Sequence, residues 1–181
     1  MNIRVIAGKY GGRTLDAPDR HTTHAMSERA RNALFNSIAA ELAGARVLDA
    51  FAGSGSLGIE AMSRGANQVV FIEKDRIAAK IIQKNVDLLG IEDAKVIKTT
   101  VSNWMDTTEN KEGFDIIFAD PPYNDVQFST VTKLLGLLKP SALMVLSHPG
   151  KGEVPSRTGV VVVDNRSYGN LNLTLYRRDV E

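Results

Sequence analysis

The sequence predicts an α/β fold, in which a mostly parallel seven-stranded sheet is covered by helices and closed by an antiparallel hairpin. Between residues 46 and 146, short apolar runs typical of strands alternate with helical patterns, which is the pattern of a parallel sheet with helices on both faces. The strand-like runs 159–163 and 171–176 leave no room for a helix between them, so they are expected to pair antiparallel. A length of 181 residues fits a single domain, 1–181.

The first 26 residues predict an extension that precedes the main fold. Residues 3–6 are strand-like, the glycines between residues 8 and 12 supply a turn, and residues 13–15 return as a second strand. A polar loop follows, and Ser27 is a suitable N-cap for a helix that reaches about Leu42, with Gly44 ending it. The domain is thus divided into a hairpin and loop extension, 1–26, and a helix with the main fold, 27–181.

The main fold is predicted from apolar runs and helical spacing. Strands are expected at 46–48, 68–72, 95–97, 114–119 and 143–146. Helices are expected at 57–64, 76–89 and 126–138. In the second of these helices, apolar residues from Ile77 to Leu89 recur on one side, and Gly90 is the stop signal.

The composition excludes several kinds of chemistry. The chain has no cysteine, which rules out disulfides, zinc fingers, iron–sulfur clusters and a cysteine nucleophile. Its apolar runs fall far short of the roughly 18 residues of a membrane span, and its N-terminus lacks the apolar segment of a signal peptide. His21 and His24 lie three residues apart but have no further ligand nearby. We therefore expect a cytoplasmic monomer with no metal site and no membrane contact.

The charge is distributed unevenly, although the net charge is only +1. Residues 1–31 carry six Lys and Arg against three Asp and Glu, which leaves +3. A local basic patch of this kind can contact phosphates, although a solvated surface explains the charge alone equally well. On the first interpretation, the residues that contact RNA are Arg4, Lys9, Arg13, Arg29 and Arg31.

A glycine-rich turn follows the first strand of the main fold. Gly53, Gly55 and Gly58 fit the pattern G-x-G-x-x-G, and Glu73 lies 20 residues after Gly53 at the end of the next strand. Glycines let a ligand approach the backbone, and a carboxylate at the second strand end can accept hydrogen bonds from ribose hydroxyls. The turn therefore predicts a nucleoside ligand at the carboxyl edge of the sheet, and a nicotinamide dinucleotide is one such ligand.

Asp49, directly before the glycines, favours a different nucleoside. A pyrophosphate on a helix N-terminus needs a turn without carboxylates, whereas a carboxylate suits a ligand with a cationic amino group. S-adenosylmethionine carries an ammonium, a sulfonium and an adenosine, and the third strand end would lie beside its adenine. The predicted cofactor-binding residues are Asp49, Phe51, Gly53, Ser54, Gly55, Glu73, Lys74, Thr100 and Val101.

The second motif, Asp120-Pro121-Pro122-Tyr123, follows the fourth strand directly. Two prolines fix the backbone and remove two N–H donors, so that the Pro121 carbonyl and the Asp120 carboxylate are two acceptors side by side. An exocyclic amine of a nucleobase has two N–H donors that match them, and holding both frees the nitrogen lone pair for attack. Tyr123 supplies a ring on which the base can stack. Asp120, Pro121, Pro122 and Tyr123 are therefore the predicted catalytic residues.

These two motifs together resemble those of the class I S-adenosylmethionine-dependent amino-methyltransferases, which have a Rossmann-like fold. Residues 4–8 and 12–13, the run Leu34-Phe35-Asn36, and Tyr168-Gly169 are similar to the bacterial ribosomal small-subunit methyltransferase D family. The resemblance covers nearly the whole chain. It implies methylation of the N2 amine of a guanine in the 16S rRNA of the small ribosomal subunit. It further implies that Asp120 and Pro121 hold that amine.

The chain departs from the family pattern at a few positions. His24-Ala25-Met26 stand where the family has Arg-Pro-Thr, Asn32 and Ser147 replace acidic residues, and Asn170-Leu171 replace Asp-Thr. The motifs for cofactor and catalysis are intact. The sequence leaves open the target nucleotide and whether naked RNA or an assembled subunit is the substrate. Alternative functions are amine methylation of a base in DNA or another RNA, and a non-catalytic role as an RNA-binding ribosome assembly factor.

Overall fold

The N-terminal extension contains a small hairpin, and two short helices follow it. A computed structural model describes residues 2–19, 26–107, 112–150 and 152–180. Strands β1 (Asn2–Arg4) and β2 (Thr14–Asp16) pair antiparallel, as predicted. Helices α1 (Glu28–Ser37) and α2 (Ala39–Leu42) follow, and the Ser27 hydroxyl caps α1 by accepting a hydrogen bond from the backbone N–H of Ala30. His21 and His24 lie outside the described residues.

The main fold alternates strands and helices before ending in two consecutive strands. Its strands are β3 (Arg46–Asp49), β4 (Gln68–Glu73), β5 (Ala94–Lys98), β6 (Phe114–Ala119), β7 (Leu138–His148), β8 (Val160–Tyr168) and β9 (Leu171–Arg178). Its helices are α3 (Ser56–Ser63), α4 (Arg76–Leu89), α5 (Val101–Thr107) and α6 (Phe128–Leu135).

The seven strands form one sheet in the order β5-β4-β3-β6-β7-β9-β8. The pairs from β5 to β7 are parallel, while β9 runs antiparallel to both β7 and β8. Strands β3, β4 and β5 therefore extend the sheet in one direction, and the strands from β6 onward extend it in the other. The predicted sheet and its antiparallel C-terminal hairpin are confirmed. Ligands in such sheets bind where the strand order reverses, at the carboxyl ends of the strands.

The central strands are buried on both faces, and their side chains alternate between two apolar cores. One core packs under α1, α3 and α4, and Val47, Phe118 and Val145 belong to it. The other packs under α5 and α6. Val5 and Leu15 of the N-terminal hairpin also join the first core.

The predicted helix from Ser27 to about Leu42 is interrupted at Ile38, which separates α1 from α2. The Ser37 hydroxyl donates to the carbonyl of Leu34, which also accepts from the Ile38 N–H, and Ile38 itself leaves the helical conformation at φ −106° and ψ 15°. Helix α5 was not predicted, because its seven residues carry only two buried side chains, Val101 and Trp104.

Two other boundaries differ from the sequence prediction. Helix α6 is shorter than the predicted 126–138, because β7 begins at Leu138 and is longer than the predicted strand. Pro140 and Ser141 lie where the pairing with β6 shifts register, and Ser141 has a φ of 67°. Ile77 of α4 is exposed instead of facing the sheet.

Candidate active site

The carboxyl ends of β3, β6 and β7 bring three polar side chains to one face of the sheet. Asp49 ends β3 and lies between Phe71 of β4 and Phe118 of β6. The register that pairs Ala119 with Leu146 brings the next residues, Asp120 and Ser147, level with each other. Strand alternation directs Asp49 and Ser147 to the face that α1, α3 and α4 cover.

The glycine turn is held by carboxylates from two strands. Asp49 Oδ2 accepts from the backbone N–H of Gly58 at 3.0 Å, and Glu73 Oε1 accepts from that of Gly53 at 2.9 Å. The other oxygen of Glu73 accepts from the Asp75 N–H at 2.7 Å. A carboxylate offers about four acceptor positions, so both groups retain the capacity to bind a ligand. Asp49 and Glu73 thus lie beside the glycine turn, at the carboxyl ends of β3 and β4.

The three positions of the turn require glycine for two different physical reasons. Gly53 and Gly55 have φ values of 57° and 79°, a region that favours glycine. Gly58 instead lies where α3 meets β4, and a Cβ there would come within 2.4 Å of the Phe71 ring. The third glycine therefore permits close helix–strand packing, whereas the first two shape the turn.

The carboxyl groups at this edge influence one another electrostatically. Asp49 is only 1% exposed, and burial, with the nearby charges of Asp120 and Glu73, raises its pKa to about 8. Burial also raises the pKa of Asp120 to about 6, against a hydrogen bond from Ser147 that lowers it. In the described part of the chain, no Lys, Arg or His contributes to either shift. The site is therefore electrostatically complementary to a cation.

The loop after β6 carries the aromatic member of the site. Pro121 is buried, Pro122 is exposed and Tyr123 is half-buried. The hydroxyls of Tyr123 and Ser147 lie 2.9 Å apart, which ties the loop to β7. The Asp125 N–H donates to the Pro122 carbonyl at 3.0 Å and closes a turn behind the ring. Asp120 and Tyr123 thus share one contact, Ser147, that sequence reasoning did not assign to the site.

The remaining predicted cofactor residues also follow the ends of β3, β4 and β5, with different exposure. Phe51 packs partly against the second core, and Ser54 Oγ accepts from the Ser56 N–H at 3.3 Å. Lys74 is exposed. Thr100 Oγ1 accepts from the Asn103 N–H at 3.1 Å, so it caps α5. Val101 is a buried core residue, which leaves its backbone as the part that a ligand can reach.

The predicted RNA-binding residues divide into exposed and buried groups. Lys9, Arg13 and Arg29 are exposed, and Arg4 is exposed in an ion pair with Glu28. The assignment of Arg31 requires correction, because its side chain is buried with only 2% of the residue exposed. Its guanidinium donates to the Arg4 carbonyl at 2.6 Å and lies 3.9 Å from the buried Glu60. Arg31 therefore anchors the hairpin.

Glu60 of α3 is the second residue of this anchor, and sequence reasoning missed it. Its carboxylate accepts from the backbone N–H groups of Ile6 and Ala7 at 2.9 and 3.2 Å, and it pairs with Arg64 at 2.8 Å. Its only signal in the sequence was a glutamate within an apolar stretch. Both of its neighbours in the chain, Ile59 and Ala61, are buried as well.

The fold and this sheet edge, with its glycine turn and its Asp-Pro-Pro-Tyr loop, define a class I methyltransferase. A family model described as conserved hypothetical protein 95 matches residues 3–177. The ribosomal RNA small subunit methyltransferase D of Haemophilus influenzae is 30% identical, over 97% of this chain and 93% of its own length. Its Escherichia coli K12 counterpart is 32% identical, over 85% and 78%.

A solved Escherichia coli structure described as a methyltransferase has a TM-score of 0.86 and 31% identity, with both chains covered completely. The chain belongs to the ribosomal RNA small subunit methyltransferase D family, as the sequence motifs predicted.

Two further features of the described residues concern membranes and metals. No helix among them is long and apolar enough to cross a membrane. Within the same ranges, no group of three or more His, Cys, Asp or Glu side chains is arranged to hold a metal ion.

Proposed function

We propose that this protein methylates the exocyclic N2 amine of a guanine in 16S rRNA of the small ribosomal subunit, with S-adenosylmethionine as methyl donor. The observation that carries the proposal is the convergence of Asp49, the glycine turn and Glu73 with the Asp120–Tyr123 loop at one edge of the sheet. The family relatives named as ribosomal RNA small subunit methyltransferases support a ribosomal substrate, and such a substrate implies a cytoplasmic protein.

The residues present fit S-adenosylmethionine. The buried carboxyl of Asp49, with Asp120 and Glu73 nearby, forms a cluster of acidic groups that a positively charged ligand neutralises. Gly53 and Gly55 allow a ligand to approach the turn closely. When bound, S-adenosylmethionine supplies a methyl group on a sulfonium, whose sulfur keeps the bonding electron pair as the methyl leaves. Asp49 would hold the cationic amino acid part and Glu73 the ribose hydroxyls.

Asp120 and Tyr123 prepare the nucleophile. The Asp120 carboxylate accepts one N–H of the guanine amine, and the Pro121 carbonyl accepts the other. This arrangement draws the nitrogen lone pair out of conjugation with the ring and makes it available to form the new N–C bond. The Tyr123 ring supports the base by stacking. After the bond forms, the nitrogen releases one proton, and Asp120 is the nearest acceptor among the assigned catalytic residues.

The test is transfer of tritiated methyl from S-adenosylmethionine to under-methylated small ribosomal subunits. Naked 16S rRNA and double-stranded DNA run in parallel, and digestion to nucleosides with mass spectrometry identifies the product. We expect N2-methylguanosine in rRNA. Asp120→Ala should reduce transfer by about 100- to 1,000-fold, because it removes a preorganised acceptor at the reacting amine.

Other outcomes of this experiment point to other functions. Label in DNA, or in a base other than guanine, would contradict the proposed substrate. Binding of S-adenosylmethionine and rRNA without any transfer would indicate a non-catalytic assembly factor. An Asp120→Ala variant that keeps near-normal turnover would contradict the catalytic assignment.

A further inference from the structure

Ser147 is a buried hydroxyl in the active site that the proposed mechanism does not use. Only 2% of the residue is exposed, and it lies one residue before the end of β7. Its Oγ lies 2.9 Å from the Tyr123 hydroxyl, and the register of β7 against β6 places Ser147 level with Asp120, where its hydroxyl can donate to that carboxylate. Ser147 therefore connects the acceptor of the amine to the ring on which the base stacks.

The direction of these hydrogen bonds follows from the proton inventory. An ionised carboxylate can only accept, so the single proton of Ser147 is directed to Asp120. The Ser147 oxygen is then the acceptor for the Tyr123 hydroxyl. The resulting chain runs from Tyr123 through Ser147 to Asp120, and it is strongest while Asp120 is ionised, because a hydrogen bond to a charged acceptor is stronger than one to a neutral acceptor.

We propose that Ser147 is a positioning residue that fixes the Tyr123 ring relative to Asp120 and stabilises the ionised, amine-accepting form of Asp120. This inference rests on the proposed function, since it concerns the same site. It goes beyond that function by assigning a role at a position where the chain departs from its family pattern. A serine there is neutral, so it can donate to Asp120, whereas an ionised acidic side chain would repel it.

Other ionisable groups near Asp120 do not replace this contact. Asp49 faces it from β3, with Glu73 of β4 behind Asp49, and both are carboxyl groups whose ionised forms repel ionised Asp120. Tyr123 reaches it from its own loop. His148 neighbours Ser147 in sequence, but its Nε2 is bonded to Thr174 Oγ1 at 2.8 Å on the opposite face of the sheet. Burial raises the pKa of Asp120 to about 6, and Ser147 supplies the opposing hydrogen bond.

The experiment compares Ser147→Ala with Thr174→Val. Thr174 is a matched control, because it is also a fully buried hydroxyl near the end of β7 but belongs to the other face. Two measurements are made on the full chain: the kcat/KM profile against pH with small subunits as substrate, and the titration of the Asp120 carboxyl by ¹³C NMR. The second measurement needs neither substrate nor turnover.

For Ser147→Ala we expect the acid limb of the profile and the Asp120 titration both to move upward by about one pH unit. The plateau of kcat/KM should fall about 10-fold, because the ring loses its fixed position. Thr174→Val should leave the acid limb and the titration in place. Tyr123→Phe should lower the plateau in the parent chain but have little further effect in Ser147→Ala, since the contact is already lost.

An Asp120 titration that is unchanged in Ser147→Ala, or shifted equally in Thr174→Val, would overturn the inference and leave Ser147 as a structural residue. Failure of the proposed function gives a different result. The wild-type chain would then transfer no methyl group, while the NMR titration of the two variants would still report whether Ser147 stabilises ionised Asp120.

Discussion

At the scale of single residues, the carboxyl of Asp49 is buried in the candidate active site at a cost to the stability of the folded chain. Its carboxyl is buried beside two other acidic groups, so its pKa is raised to about 8 from an ordinary 3.8. The folded chain therefore holds this proton more tightly than the unfolded chain. By linkage, the contribution of Asp49 to stability is complete below about pH 4 and is lost as the pH rises through about 8. A bound cation would lower the pKa and relieve this loss.

Asp49→Asn tests this balance. The amide stays neutral and its oxygen can still accept from Gly58, so we expect the ligand-free variant to be more stable than wild type at pH 9 by roughly 1–3 kcal/mol. Urea denaturation at pH 5, 7 and 9 measures the difference, which should shrink toward pH 5. Calorimetry should show weaker binding of S-adenosylmethionine. Parallel stability profiles for the two proteins would contradict the assigned environment of Asp49.

Residue positions were predictable from sequence where the motif itself fixes the geometry. Asp49 and Glu73 end their strands and Asp120 follows one, and parallel strands bring their carboxyl ends together. Arg31 was assigned wrongly, because charge along a sequence does not reveal which side of a helix faces the core. Ser147 was noted only as a departure, since its role depends on the register of β7 against β6.

At the scale of elements, α3 packs in close contact with β4 directly after the glycine turn. Gly58 sits on the first turn of α3, where a Cβ would meet two atoms of the Phe71 ring at 2.4 and 2.9 Å. The same residue donates its N–H to Asp49. Helix position and carboxylate position are therefore coupled through one glycine.

Gly58→Ala should destabilise the chain by about 1–3 kcal/mol, because the added methyl overpacks the contact. It should also weaken cofactor binding by shifting the N–H that holds Asp49. Chemical denaturation and calorimetry measure the two effects. Phe71→Leu opens space at the contact, so the double variant should lose less stability than the sum of the two single variants. Strict additivity would argue against a steric cause.

Elements with long apolar patterns were predicted well, and the missed ones depend on local capping. Strand β6 and helix α4 have the predicted bounds. The only sequence signal for helix α5 is Thr100, whose hydroxyl caps it, and the break at Ile38 is a change in the backbone of one residue. Such local features leave no periodic trace in a sequence.

At the scale of the whole molecule, the exposed cations of this weakly basic chain are spread over several elements, and one group of them lies within residues 4–31. Lys9, Arg13 and Arg29 are exposed there, while Arg31 is buried. We propose that the exposed group contacts rRNA phosphates. An affinity that depends on such contacts falls with rising salt in proportion to the number of contacts.

Arg13→Ala and Arg29→Ala should each weaken rRNA binding and reduce the slope of log Kd against log salt by about one at most. Fluorescence anisotropy with an rRNA fragment over a series of salt concentrations measures this slope. Lys133→Ala on α6 is the matched control, because Lys133 is also exposed but lies outside residues 4–31. An equal effect of Lys133→Ala would mean that the cations of residues 4–31 have no special role in RNA contact.

The docking of the N-terminal hairpin also sets an order of events during synthesis. Ile6, Ala7 and Tyr10 bond to Glu60 and Ser63, which lie 53 or 54 residues later, and Asp16 bonds to Asn85, 69 residues later. The segment that leaves the ribosome first must therefore wait for α3 and α4 before it finds its partners. A chain arrested before Asn85 would expose this hairpin to proteases, whereas the finished chain protects it.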